Sequence, residues 1–369
     1  MSQRIHEDAD WPRFYWSRNK LAEQLATIRH QQGRLLGRME ALGLGFRQEA
    51  VFHTLIEDVV KTSEIEGEKL DRGQVRSSIA RRLGLEIGGL KGIDRNVEGV
   101  VDMMLDATGR FLEPLTAERL WGWHAALFPT GRSGMKRIRT GAWRDDSNGP
   151  MQVVSGPVGR ERVHYQAPDA SRLDAEMAAF LQWMNGANET DWVVKAGLAH
   201  FWFVTIHPFE DGNGRIARAI ADLALARSEN SSQRFYSVSA QIRLERDAYY
   251  EILEQTQKGT MDVTPWMTWF FDCMGRAIAG SQTILEGVLS KARFWETVAG
   301  LSLNERQKLV LQRLLDNFEG KLTTSKWSKM AKCSHDTALR DIQALVDRSV
   351  LVRRIEGGRS TSYELVKIA

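Results

Sequence analysis

Residues 191–206 read Asp-Trp-Val-Val-Lys-Ala-Gly-Leu-Ala-His-Phe-Trp-Phe-Val-Thr-Ile, and they constrain the fold more than any other segment. The run is helix-length and apolar nearly all round, so it offers no face to water and belongs at the centre of a helical core. Its C-terminal end delivers His207, and the chain continues Pro-Phe-Glu-Asp-Gly-Asn-Gly-Arg-Ile-Ala-Arg to Arg218. Gly212, Asn213 and Gly214 can adopt conformations closed to branched residues, so their N–H groups can converge on an anion. The following Arg-Ile-Ala-Arg-Ala-Ile-Ala-Asp-Leu-Ala-Leu-Ala is strongly helix-forming. The nest therefore sits at a helix N-terminus, where the dipole favours phosphate. Arg215 and Arg218 are three apart and share one face of that helix, aimed at the same anion. The imidazole of His207 and the carboxylate of Asp211, a candidate ligand for a divalent metal, complete a set suited to phosphoryl or nucleotidyl transfer.

With 369 residues, of which 43% are hydrophobic, the chain has ample material for two or three domains. Mean hydropathy is −0.35, and no run approaches the ~18 apolar residues that would span a bilayer. Its first ten residues contain no apolar signal region, so the expected address is cytoplasmic, without membrane contact. Cys273 and Cys333 lie sixty residues apart with no metal-ligand spacing and read as buried or incidental thiols. The net charge of +3 hides an asymmetry: from Leu301 onward 13 Lys/Arg face 8 Asp/Glu, a balance of +5, which leaves the rest at −2.

Taken in order, Trp11, Phe14, Tyr15 and Trp16 are dense enough to pin the N-terminal segment onto a core. Helical patterns follow over about 17–41 and 45–62, the second with Val51, Phe52, Leu55, Ile56, Val59 and Val60 on one face. Thr62-Ser63-Glu64-Ile65-Glu66-Gly67 then reads, by composition alone, as a helix end with solvated carboxylates. Residues 70–90 carry further helical character closed by Gly88-Gly89, and helices are expected over Asp94–Thr108 and Thr116–Leu127, the latter capped by Thr116. His124, among core-like neighbours, reads as a packed histidine. Between 128 and 170 glycines and prolines break the helical period. Met151–Gly156 and Arg162–Tyr165 flank a turn as a β-hairpin would. Helices return over 170–186 and 191–206, the second holding His200 as a core residue, and again from Glu245 and over 263–295. Tyr249-Tyr250 on a helix is a packing pair on its face.

The stretch 207–218 resembles the signature of the Fic family, His-Pro-Phe-x-Asp/Glu-Gly-Asn-Gly-Arg-x-x-Arg, and matches it at every fixed position. The resemblance covers about residues 50–280. It implies a mainly α fold, a Fic-type helical core with a β-hairpin flap, and transfer of AMP from ATP to a hydroxyl of a protein target. In that family His207 is the catalytic base and Asp211 holds Mg²⁺. Gly212, Asn213, Gly214, Arg215 and Arg218 receive the phosphates, with Asn213 orienting the α-phosphate and the loop. Val153, Val154, Ser155 and Gly156 match the flap strand that holds the target by β-augmentation. Tyr250 and Gln257 correspond to adenine-pocket positions, Gln257 departing from the usual Asn; Arg144 is a structural position. Thr62, Glu66 and Gly67 resemble the inhibitory motif of regulated members, in which the glutamate bonds bidentately to the second arginine, here Arg218, and blocks the site of the γ-phosphate. The same glutamate could position a water for AMP removal, so a predominantly de-AMPylating enzyme stays an alternative. Phosphocholine or kinase chemistry on the same scaffold is disfavoured by the intact Gly-Asn-Gly-Arg-x-x-Arg. The resemblance admits a homodimer, for which the sequence offers no interface signal.

From Leu301 the pattern changes to three short helices (303–317, 324–331, 335–348) and two strands around Gly357-Gly358, the layout of a C-terminal winged-helix domain. With the +5 balance, nucleic acid could bind through 335–348 and Arg353, Arg354 and Arg359, which makes a DNA-binding regulator a second alternative; winged helices also serve as protein-interaction modules. The expected domains are a 1–90 helical region carrying the inhibitory motif, a 91–298 catalytic core and a 299–369 winged helix.

Overall fold

The computed structural model describes residues 4–85, 91–147, 149–156, 160–187, 190–315, 318, 320–354 and 361–366. The chain divides into two compact units, 1–284 and 285–369. The first is helical, opening with α1 (Arg18–Glu40), α2 (Leu44–Ile65), α3 (Arg72–Arg82), α4 (Arg95–Gly109) and α5 (Ala117–Leu127). Two antiparallel hairpins follow, β1 (Arg132–Ser133) with β2 (Lys136–Arg137), and β3 (Gln152–Ser155) with β4 (Arg162–Gln166). Then come α6 (Leu173–Asn185), α7 (Trp192–Ile206), α8 (Asn213–Glu229), α9 (Val238–Leu244), α10 (Arg246–Gln257) and α11 (Thr264–Val298).

The apolar helix sits where its composition requires. Every residue of α7 from Val193 to Ile206 is buried, and α7 packs along α8, itself buried from Arg215 to Ala226. Lys195, buried in this core, gives its ammonium to the Gly186 carbonyl at 3.1 Å and stacks 4.3 Å over Trp192. Trp11 and Phe14 pack edge-on against Trp202 of α7, which fixes the N-terminal segment on the core as its aromatics foretold. Tyr15 remains 57% exposed and contributes backbone instead, bridging Met261 and Val263.

Local signals set the helix ends. Thr116, Asp94 and Asp71 each accept a backbone N–H in the first turn of the following helix. Three elements carry no sequence signal of the kind used above: the seven-residue α9 and the two-residue strands β1 and β2. Gly88 and Gly89 lie outside the described residues.

The second unit contains the last turns of α11, α12 (Glu305–Leu315), α13 (Thr324–Ala331) and α14 (His335–Asp347), then the antiparallel pair β5 (Leu351–Arg353) and β6 (Tyr363–Leu365). Its core gathers Phe294, Val310, Leu311, Trp327, Ile342, Leu345 and Leu351. The element order is that anticipated for residues 303–366. Arg359 and the Gly-Gly turn lie outside the described residues. The surface offered to nucleic acid is of mixed sign: α14 carries exposed Arg340 beside exposed Asp336 and Asp347, and Arg354 pairs with Glu364 at 2.5 Å.

Candidate active site

The loop joining α7 to α8 is set by two left-handed residues. His207 caps α7 at φ 54°, and Gly212 precedes α8 at φ 80°. The positive φ and the crowding around Gly212 make glycine necessary there, since a Cβ would meet the Phe128 ring at 2.9 Å. Asn213 closes the loop on itself. Its amide accepts from the Phe209 N–H at 3.0 Å and donates to the Phe209 carbonyl at 2.8 Å, with the side chain buried. Both ends of its amide are thus committed to backbone, which is the loop-orienting part of the role expected of it.

The N–H nest begins one residue later than the spacing suggested. Gly212 gives its N–H to Asp211 Oδ1 at 2.6 Å, so the donors left at the head of α8 are those of Asn213, Gly214 and Arg215, which have no acceptor within the helix. Asp211 also accepts from the Ser133 hydroxyl on β1, which fixes its rotamer. Among the described residues no three His, Cys, Asp or Glu side chains gather as a metal site. One fixed carboxylate beside an anion nest fits Mg²⁺, which takes few protein ligands and enters with phosphates.

His207 presents its ring to a cavity of about 550 Å³. Nδ1 lies 3.2 Å from the Val204 carbonyl, which can only accept, so Nδ1 carries the proton and Nε2 of the neutral ring has a free lone pair. Burial lowers the pKa of His207 to about 4, which keeps the ring neutral at cellular pH. Arg144 holds the turn from beneath, donating Nε to the His207 carbonyl at 2.9 Å, as a structural residue would. His124 and His200 are indeed packed: His124 stacks on Phe209 with centroids 4.1 Å apart, and His200 Nε2 lies 2.9 Å from the Tyr249 hydroxyl.

The end of α2 reaches the same cavity. Arg218 donates Nη2 to Glu66 Oε1 at 2.7 Å, and Nε to the Thr62 hydroxyl at 2.7 Å. The pairing with Glu66 is present through Nη2 alone and not bidentately; the Thr62 hydroxyl takes Nε, and the Thr62 carbonyl shares Nη2. Burial of Arg218 opposes its charge, and the Glu66 carboxylate outweighs that effect and holds its pKa above the ordinary value. Gly214 is required by this contact, since a Cβ would stand 2.2 Å from Glu66 Oε1. Glu68, which the sequence reading passed over, takes the second arginine, with Arg215 Nη1 at 2.6 Å. Burial pushes the Glu68 carboxyl up. Its only sequence trace is the alternation Glu64, Glu66, Glu68 after an apolar helix face.

Opposite this wall stand the flap and α10. Val153, Val154 and Ser155 of β3 line the cavity with Tyr250 and Gln257, and Gly156 turns the chain out of the strand at φ 103°. Val154 is 47% exposed on β3, whose mapped pairing is with β4 alone. The Tyr250 hydroxyl is 3.4 Å from Glu66 Oε2, and Gln257 donates to the Thr205 hydroxyl at 3.3 Å. Arg246, also missed in the sequence, ties the end of α2 to α10 by donating to the Ile65 carbonyl at 2.7 Å. All the first-unit site residues named from sequence except Gly156, Arg215 and Arg218 line this one cavity, and those two arginines lie just behind the glutamates.

A central α7–α8 hairpin, a loop built for an anion, a neutral imidazole and a two-stranded flap define this as a fold of the Fic type. Residues 114–225 match the model described as the Fic/DOC family and are a Fic domain; residues 5–85 match a domain of unknown function, DUF4172. A Fic family protein from Desulfovibrio desulfuricans shares the fold with a TM-score of 0.56 at 20% identity, over 95% of this chain and 96% of that one. A Fic-domain signaling protein from Bacteroides thetaiotaomicron gives 0.52 at 18% identity, over 72% of this chain and 97% of its own. Curated relatives named protein adenylyltransferase Fic include those of Drosophila ananassae, 30% identical over 131 residues, and Drosophila mojavensis, 31% identical over 131 residues. Each match covers 34% of this chain, which spans only about a quarter of those relatives' length (25% and 24%). No helix among the described residues is long and apolar enough to cross a membrane.

Proposed function

We propose that the chain transfers AMP from ATP to a Ser, Thr or Tyr hydroxyl of a protein target, and that Glu66 holds this activity off. The observation that carries the proposal is the Arg218–Glu66 contact of 2.7 Å beside a neutral His207 and an open anion nest. The triphosphate would sit on the N–H groups of Asn213, Gly214 and Arg215, with the guanidiniums of Arg215 and Arg218 meeting β- and γ-phosphate charge. Asp211 would hold Mg²⁺, whose contribution when bound is to neutralise phosphate charge. The target strand would lie along β3, in the β-augmentation mode. His207 Nε2 takes the target hydroxyl's proton as its oxygen attacks the α-phosphorus, and pyrophosphate leaves. A positioned base of this kind is worth about 10²–10⁴ in rate.

Glu66 and Glu68 occupy the guanidiniums this chemistry needs, so the transfer is expected to be weak until both are displaced. Among the described residues the second oxygen of Glu66 is held by the Tyr250 hydroxyl at 3.4 Å, and Glu66 lines the cavity, which keeps AMP removal through a Glu66-bound water as the alternative reaction of the same site. Nucleic-acid binding by the second unit is not favoured, since exposed Arg340 on α14 stands with exposed Asp336 and Asp347. The test is ATP labelled at the α-phosphate, supplied with Mg²⁺ and cell lysate. Glu66→Gly should label protein far more than the unmodified chain; equal labelling would remove the inhibitory role.

A further inference from the structure

The flap holds a hydrogen-bonded chain that the AMP-transfer reading does not use. Ser155 Oγ lies 2.5 Å from His164 Nε2, and His164 Nδ1 lies 2.5 Å from Glu254 Oε2. Ser155 and His164 come from the paired strands β3 and β4, while Glu254 comes from α10 across the cavity. Glu254 is fixed from two further sides, by Arg162 at 3.0 Å and Lys258 at 2.5 Å. Its burial would raise the carboxyl pKa, but the hydrogen bonds from Lys258, His164 and Arg162 outweigh this and hold it at about 2.

Glu254 is thus an anion at cellular pH and can only accept. The proton between them must belong to His164 Nδ1, which leaves Nε2 of the neutral ring as an acceptor for the Ser155 hydroxyl. Hydroxyl, imidazole and carboxylate then stand in the order of an activated nucleophile. Ser155 is exposed, and all three residues line the cavity that holds His207 and Gly212–Gly214.

We infer that Ser155 is an acceptor of AMP within this chain, with His164 as its base and Glu254 as the group that orients His164. The inference rests on the AMP-transfer reading and adds a second base to it. A bond forms between Ser155 Oγ and the α-phosphorus of ATP as the bond from that phosphorus to the α–β bridging oxygen breaks. Pyrophosphate leaves, the hydroxyl proton passes to His164 Nε2, and Glu254 balances the resulting imidazolium.

The experiment incubates the Glu66→Gly chain with ATP, Mg²⁺ and cell lysate, then maps AMP by peptide mass spectrometry. AMP is expected on Ser155. Relative to AMP on lysate proteins in the same sample, which reports that each variant is folded and active, Ser155 labelling should fall at least tenfold in His164→Gln and in Glu254→Gln. AMP on lysate proteins or elsewhere in the chain with none on Ser155 would overturn the inference and leave the AMP-transfer reading standing, as would Ser155 labelling undiminished by either substitution. No AMP on any protein would overturn both.

Discussion

Two glutamates, two residues apart, each take one arginine of the helix that opens the anion nest, and their burial predicts unequal strength. Arg218 is 2% exposed and its partner Glu66 28%, so the pair is largely shielded from water. A charge-assisted hydrogen bond in such a place contributes about 1.5–3 kcal/mol. Arg215 is 3% exposed but Glu68 is 44% exposed, and screening of that half-wet carboxylate reduces its contact to about 1 kcal/mol or less. At about 1.4 kcal/mol per decade, removing Glu66 should tighten ATP binding by roughly 10- to 100-fold, and removing Glu68 by roughly 5-fold or less. The assay is calorimetric titration of ATP with Mg²⁺ in a His207→Ala/Ser155→Ala background, so that turnover through neither base confuses the isotherm. Glu66→Gly, Glu68→Ala and the double variant complete a cycle. Because the two carboxylates share one segment, the double variant should deviate from additivity by more than about 0.5 kcal/mol. A Glu68→Ala effect equal to or larger than that of Glu66→Gly would refute the argument from burial.

Two further outcomes follow from the same geometry. His6, His124 and His207 have pKa values lowered to about 4 and His200 to about 3, each chiefly by burial, against 6.5 when unfolded. The unfolded chain therefore binds more protons between pH 6.5 and about 4, so stability should be full above 6.5 and fall progressively on acidification through that window; a pH series of thermal melts with a constant midpoint would contradict it. Asn213→Ala removes two buried hydrogen bonds to Phe209, at a cost of about 2 kcal/mol, and should lower Tm by a few degrees while loosening ATP binding; an unchanged Tm would deny its role as the loop clamp.

What could be read from the residues was whatever rested on period and composition. The all-apolar 191–206 segment had to be central, and the capping residues Asp94 and Thr116 marked helix starts within a residue. The cavity's catalytic loop was legible because glycine, imidazole and guanidinium serve as chemistry and sequence signal at once. Long-range partners were not. Glu68 is an ordinary surface carboxylate until α2 brings it to Arg215, 147 residues away, and Ser133 is an ordinary loop serine until β1 lays it on Asp211. Asn213 was legible as a residue that orients the loop, and only the fold shows how, through both ends of its amide on Phe209. The Glu66 contact is a single bond to Nη2, which the Thr62 carbonyl shares, because a motif position does not show how a guanidinium's nitrogens are divided.

The most direct measurement is transfer of label from α-phosphate-labelled ATP to protein by the unmodified chain, Glu66→Gly and Glu66→Gly/His207→Ala, with Mg²⁺ and lysate. On lysate proteins the account predicts faint or no label in the first, strong label in the second, and a loss of about 10² or more in the third, label on Ser155 of the chain itself being counted separately because His164 serves it. Lysate label in the double variant equal to that in Glu66→Gly would contradict His207 as the base, and no label on any protein would contradict AMP transfer itself.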